Sequence, residues 1–305
     1  MRFGLVLGGG GYAGTAFHAG VLSALARCSI DPSAADVIVG TSAGAAAAAL
    51  IGAGFPPQEY VSLILEERLS EAARTAMEGV GRPLPAPPPP LPKPWPAAPD
   101  LVARAIRHPG SLPLGVVLAA LSPRGTVAVD SVSPGYGPRF HEWPDRRIWI
   151  TAVDLRSGQR AVFGRTHTAT VAQAVSASVA IPGYFAPVEI DAVPYVDGGA
   201  WSTNHADLLA DEELELVVVS APSSTTQPWA LDAPNWVRTP VRRQLQREVS
   251  LLRASGKRVV VLEPDRALRR VIGVNSMSLQ RRKSVALATA AWALRRLQSA
   301  GLAAD

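Results

Sequence analysis

The chain opens with a five-residue apolar run, Phe3 to Leu7, which passes at once into Gly8, Gly9, Gly10 and Gly11. After Gly14 comes TAFHAGVLSALAR, which has helical spacing. Strand, glycine turn and helix in that order leave few architectures open. A strand without a polar residue is buried on both faces, as in a mostly parallel sheet covered by helices. Further runs rich in valine and isoleucine lie at Val37 to Val39, Ile148 to Val153, Leu214 to Val219 and Val259 to Leu262. They alternate with helical stretches, so the fold class expected is α/β.

The 305 residues are 48% hydrophobic, enough for one large core or two small ones. The net charge of +5 and the pI near 9.8 come mostly from arginines scattered along the chain. Nucleic-acid binding would need a compact basic stripe or a fold signature, and neither is present. A mild attraction to anionic surfaces, lipid headgroups included, is the simpler implication. Cys28 is the single cysteine, which rules out an intrachain disulfide or a cysteine metal cluster and suits a reducing, cytoplasmic setting. The N-terminal apolar run is too short for a secretory signal. The longest apolar stretch, Ala43 to Phe55, falls short of the roughly 18 to 20 residues that cross a bilayer. No H-E-x-x-H motif or dense carboxylate loop occurs, so neither metal nor cofactor is expected. Oligomeric state is left open.

One stretch breaks the alternation. GRPLPAPPPPLPKPWPAAPD, Gly81 to Asp100, is expected to be extended and stiff, as a linker or a lid, because proline lacks the amide donor. After it, Ser111 to Ser122 is short and apolar, suited either to the core or to a lipid-facing rim, and Trp95 and Leu112 to Leu121 are expected near such an interface. Ser284 to Leu302 reads as an amphipathic helix covering the core.

The glycine run supports two chemistries. Gly9, Gly11 and Gly14 fit G-x-G-x-x-G between strand and helix, the setting of a dinucleotide fingerprint. That reading needs an acidic residue at the C-terminal end of the second strand, and the candidates Asp31 and Asp36 fall before it. The second strand ends instead in GTSAG, Gly40 to Gly44, a G-x-S-x-G pattern between strand and helix. Ser42 would then stand on a sharp turn at a helix N-terminus, where free amides favour negative charge. The glycine amides beside it would hold the oxyanion of a tetrahedral intermediate. A serine nucleophile needs a base, and PYVDGGAWSTNHADLL offers Asp197 at the end of a short strand, followed by Gly198 and Gly199.

These three motifs, Gly8 to Gly14, GTSAG and DGG, stand in the order found in the patatin-like phospholipase family, which the chain resembles. Ser176 to Leu209, with Pro182 and Gly183, is similar to that family's approach to its aspartate, and LEPDRALRRVIGVNSMSLQRR to the tail of bacterial members. The resemblance spans Met1 to about Leu65 and about Ile148 to the C-terminus. It implies a three-layer α/β/α fold and a Ser-Asp dyad, with Ser42 as nucleophile, Asp197 as base and Gly9, Gly10 and Gly11 as oxyanion donors. The chain departs from the family at Ala13, where an arginine or lysine is common. Of the five histidines, His205 is close to Asp197 in sequence but precedes the strand after which an α/β-hydrolase places its histidine, and His18 suits a packed structural role.

The expectation is therefore a single catalytic domain over residues 1–305 with a lid or linker insertion at about 81–125. It would cleave lipid esters as a phospholipase A or lysophospholipase and touch anionic membrane peripherally. Ile181, Tyr184, Phe185 and Tyr195 are candidate lining for the acyl chain. A non-catalytic lipid-binding relative and a dinucleotide-binding oxidoreductase are the alternatives.

Overall fold

The computed structural model describes residues 1–81, 95–131, 140–226 and 235–302. Its centre is an eight-stranded sheet: β1 (Phe3–Leu7), β2 (Val37–Thr41), β3 (Ile148–Asp154), β4 (Arg160–Phe163), β5 (Val188–Ile190), β6 (Val193–Asp197), β7 (Leu216–Ser220) and β8 (Arg258–Leu262). The order is β5-β6-β3-β2-β1-β7-β8, with β4 on β3; β3, β2, β1, β7 and β8 are parallel, while β4, β5 and β6 pair antiparallel. The five valine- and isoleucine-rich runs are the five parallel strands. β4 and β5, only four and three residues long, are not among the strands expected from the sequence.

Side-chain alternation along these strands makes the layers. Leu5, Leu7, Ile38, Ile150 and Val218 face one core with the helices α1 (Gly11–Arg27), α2 (Ala43–Gly52) and, from the far end of the chain, the helix at Arg282–Ser299. Val6, Val37, Val39, Trp149, Val217 and Val219 face a second core closed by Leu245, Val249 and Leu252 of the helix at Asn235–Ala254. Burial on both faces is what an uninterrupted apolar strand requires, and the result is a three-layer α/β/α fold.

Between β2 and β3 run α3 (Tyr60–Leu65), α4 (Glu71–Ala76), α5 (Pro99–Arg107) and α6 (Leu114–Leu121). Most of the proline-rich stretch, 82–94, lies outside the described residues. Its last two residues, expected to be extended, begin α5 instead, because proline at the first helical position gives up an amide that has no partner there. α5 and α6 do not form a solvated linker. Leu101, Leu112, Val116 and Ala120 pack on Val153, Leu155 and Val196 at the ends of β3 and β6. The opposite face of α6 is open: Leu114, Leu118 and Leu121 are 71%, 55% and 50% exposed, and nearby Trp95 is 77% exposed. Beyond β4 lie α7 (Val171–Val179), α8 (Asn235–Ala254), α9 (Arg266–Ile272) and α10 (Arg282–Ser299). Among the described residues, no helix is long and apolar enough to cross a membrane.

Candidate active site

Ser42 joins β2 to α2 with φ 54° and ψ −117°, a backbone region that a residue with a side chain seldom enters. Such a conformation costs about 1–3 kcal/mol and persists only where its surroundings over-determine it. Small neighbours supply one constraint. A methyl group on Gly44 would be driven into the Leu7 carbonyl, so α2 starts against β1 only because Gly44 has no side chain. Buried hydrogen bonds supply the other. Ser42 N–H donates to Ser178 Oγ (2.8 Å), whose hydroxyl donates to Thr151 O (2.7 Å), and the Thr41 and Thr151 hydroxyls pair at 2.8 Å. α7 and β3 thus hold the turn from behind.

The sheet register brings Asp197 to the same point. β4 occupies one edge of β3 from Ile150 to Val153, so β2 and β6 share the other edge end to end. β2 stops at Thr41 opposite Thr151, and β6, running the other way, stops at Asp197 opposite Ala152. Two strands meeting head-on leave Ser42 and Asp197 as neighbours, with the serine side chain near enough to the carboxylate to favour its charged form. Asp197 is buried, and its Oδ1 accepts Gly199 N–H at 2.7 Å. Burial pushes its carboxyl up to about 6, against the opposing effect of the Gly199 hydrogen bond and the Ser42 side chain.

The glycine turn lies across from this pair. A Cβ on Gly9 would come 3.4 Å from Ser42 Cβ. The three glycines are not equivalent as donors, however. Gly9 N–H is already given to Thr203 O at 2.8 Å, so the expected set narrows to Gly10 and Gly11. Gly10 caps α1 and Gly11 begins it, and Ala43 begins α2; none of the three amides has a carbonyl four residues back within its helix. Ala13 is buried, and its N–H donates to Ser276 O at 2.9 Å.

The two histidines weighed as bases are both committed elsewhere. His18 Nε2–H donates to Gly8 O (2.7 Å) while Nδ1 accepts the Ser220 hydroxyl (2.8 Å), and burial lowers its pKa to about 4. His205 Nε2–H donates to Gly198 O (3.0 Å) and Nδ1 faces Arg160 Nη1 (3.3 Å); burial and then the Arg160 charge lower its pKa to about 3. Both are neutral ties, one on the glycine turn and one on the turn after Asp197. A third tie is Glu248 of α8, which accepts from Ser202 Oγ (2.6 Å) and Ala206 N–H (2.9 Å) and is raised by burial to about 7. Ser178, Thr151, Arg160 and Glu248 carry no local sequence signal of this kind. Only the buried hydrogen bonds between distant elements reveal them.

Ser42 opens onto a cavity of about 190 Å³ lined by Ala46, Leu50, Leu63, Ile64, Val179 and Phe185 among others. Of the four residues proposed for the acyl chain, Ile181 and Phe185 line it. Tyr195 instead packs on Phe163, and Tyr184 lies edge-on to Phe185. The place after β2 where a dinucleotide fold needs an acidic side chain is taken by Ser42. Asp36 accepts Phe3 N–H at 2.7 Å at the other end of the strand, and Asp31 caps a turn at Ser33.

A strained serine between strand and helix, a buried aspartate at the strand end that meets it and a glycine turn over both form the candidate site on a three-layer α/β/α fold. The model of the family Patatin-like phospholipase matches residues 5–210, about two thirds of the chain, and the chain belongs to that family of lipid acyl hydrolases. No curated protein matches in sequence. Among solved structures, VipD from Legionella pneumophila is similar at 15% identity and TM-score 0.45, covering 98% of this chain and 67% of its own. The type III effector ExoU is similar at 17% identity and TM-score 0.39, covering 98% of this chain. ExoU in its complex with SpcU from Pseudomonas aeruginosa follows at 18% and 0.37, covering 97%. The chain spans about half the length of the ExoU chains, 53% and 52%.

Proposed function

We propose that this chain cleaves carboxylic esters of glycerolipids, as a phospholipase A or lysophospholipase, through an acyl-Ser42 intermediate and a Ser-Asp dyad. The observation that carries the reading is Ser42, strained at a strand end, set beside the buried Asp197 carboxylate at the wall of an apolar cavity. Ser42 Oγ attacks the ester carbonyl carbon as Asp197 takes the hydroxyl proton. The Gly10, Gly11 and Ala43 amides meet the oxyanion, aided by the N-terminal ends of α1 and α2. On collapse the ester C–O bond breaks and Asp197 returns its proton to the departing alcohol. Water then attacks the acyl ester, again losing a proton to Asp197, and the fatty acid leaves as Ser42 recovers its hydroxyl. A free aspartate is a poor base at neutral pH; one raised to about 6 is ionised there yet basic enough to act.

Two further features support a single unit working at a lipid surface. β7 and β8 complete the sheet beyond residue 210, and Met277 and Arg282 complete the cavity wall. The exposed leucines of α6 lie close to Asp197: Gly115 packs so tightly on the Ala200 carbonyl that a methyl group there would clash. An apolar ridge beside the site suits shallow insertion into a bilayer, and the net charge of +5 suits an anionic one. Ser42→Ala tests the chemistry. Turnover of a p-nitrophenyl ester and of phospholipid should fall to background with the thermal transition retained; persistent turnover by the purified variant contradicts the mechanism, and an inactive wild type favours a lipid-binding role.

A further inference from the structure

Three successive cations, Arg281, Arg282 and Lys283, open α10, the end of a helix at which its dipole disfavours positive charge. They diverge. Arg281 Nη1 donates to Arg270 O and Val271 O at the end of α9, and Lys283 Nζ pairs with Glu66 at 3.2 Å. Arg282 turns into the Ser42 cavity and is the one charged side chain among its described lining residues. Its Nε is buried without a hydrogen-bond partner among the described residues. Glu66, the carboxylate whose charge acts on Arg282, is shared with Lys283, so two cations divide one anion. A guanidinium facing an apolar cavity under these conditions lacks a full countercharge.

Resting on the reading of Ser42 as an esterase nucleophile, we infer that Arg282 is a specificity-determining residue that pairs with the phosphodiester of a glycerophospholipid while its acyl chain fills the cavity. The apolar wall of Leu50, Leu63, Ile64, Val179 and Phe185 suits the chain, and it offers a phosphate oxygen nothing. The Tyr12 and Thr15 hydroxyls also line the cavity, but Arg282 is the one charged group among the described lining residues, able to donate charge-assisted hydrogen bonds of planar geometry to the phosphate. Desolvation of the guanidinium, which lowers its pKa, strengthens whatever anion it meets. Ala13 brings no cation to the glycine turn, so the charge at this site comes from the far end of the chain. A neutral glyceride would leave Arg282 with only its share of the Glu66 charge, and the site thereby favours phospholipid over diacylglycerol.

The test uses short-chain lipids below their micelle concentration, so that surface attraction plays no part. Dioctanoyl glycerophosphocholine is chosen because it is zwitterionic and does not respond to the protein's net charge. For the intact chain, the ratio of kcat/KM for this lipid over dioctanoylglycerol should fall by about tenfold or more in Arg282→Gln, and Arg282→Lys should restore part of it. A ratio unchanged within about twofold, or equal losses on both substrates, overturns the proposal. Binding of the ester-free dialkyl ether analogues to Ser42→Ala, followed by calorimetry, separates this from the chemistry. The ether phosphocholine should bind about tenfold more weakly when Arg282→Gln is added, and equal affinities refute the phosphate contact even if no ester is ever cleaved. Loss of turnover by wild type with this binding difference intact would count against the nucleophile alone.

Discussion

The two sides of the Ser42 cleft are held by opposite means. On the serine side close backbone approach leads, with Gly44 against Leu7 and Gly9 against Ser42 in turns that each follow directly on a parallel strand, backed by the neutral hydroxyls of Ser178, Thr151 and Thr41 and by His18 on the Gly8 carbonyl. The aspartate side is a clamp of polar side chains drawn from separate parts of the chain. His205 ties the Gly198 carbonyl and faces Arg160 with its other ring nitrogen, Arg160 pairs with Asp207 at 2.8 Å, and Glu248 reaches across from α8 to Ser202 and Ala206. Steric exclusion has no pH dependence, whereas a buried polar clamp does. The strained element and the titrating element of the proposed dyad are thus built separately and can be perturbed separately.

The largest effect is expected at Asp197. Asp197→Asn should lower kcat on a soluble ester by about a thousandfold or more, since the base is lost while the shape is kept. Its effect on stability should have the opposite sign. The folded pKa of about 6 lies above the ordinary carboxylate value, so the stability tied to this group is greatest at low pH and is lost as pH rises through about 6. Removing the buried charge should therefore raise stability by about 1–3 kcal/mol at pH 7.5 and by nothing near pH 4, read by denaturant melts at both pH values. Lower stability at pH 7.5 would mean that the carboxylate is better solvated than its burial implies.

Next in size is the ridge that leans on the aspartate side. Leu114→Ser, Leu118→Ser and Leu121→Ser combined should cut phospholipid turnover on anionic vesicles about tenfold and weaken co-sedimentation, with turnover of a soluble ester kept within about twofold. Equal losses on both would make α6 part of the site's own support.

The smallest effect on rate is expected at His205. His205→Ala strands the Gly198 carbonyl and takes a packing neighbour from Arg160, and should cost about 2–3 kcal/mol of stability at neutral pH but only a few-fold in kcat at a temperature where it is folded. The neutral imidazole, lowered to about 3, contributes stability above its ordinary pKa that fades as the pH falls, so the variant should differ least from wild type in acid. An inactive, folded His205→Ala would place the histidine in the chemistry.

The same contrast explains what could be read in the sequence. The serine side is mostly local: five apolar residues, a glycine run and GTSAG sit within 44 positions, and their order is enough to read strand, turn and helix, while the distant Ser178 and Thr151 that back the turn are not marked. The parallel strands were legible for the same reason, as continuous valine and isoleucine runs. The polar clamp was not legible, because nothing near Glu248 or Arg160 marks them as partners of the turn after Asp197. His205 was visible only as a histidine near an aspartate, and its two hydrogen bonds depend on the fold. Gly9 shows the limit within the legible part. Its place in the run suits an oxyanion donor, but its N–H goes to Thr203, a contact set by the far end of the DGG segment. Short β4 and β5 escaped for want of length, and α5 began inside the proline stretch because one proline at a helix start is compatible with it.

The claim on which all this rests is that Asp197, and no histidine, activates Ser42. It is tested most directly by the rate at which a fluorophosphonate labels the intact chain as a function of pH, with the modified residue located by peptide mass. The expected result is a single label at Ser42 whose rate rises through one ionisation near pH 6, is unchanged in midpoint in His18→Asn and His205→Asn, and loses that ionisation in Asp197→Asn. Labelling at another residue, or a midpoint that moves or vanishes when either histidine is replaced, would contradict it.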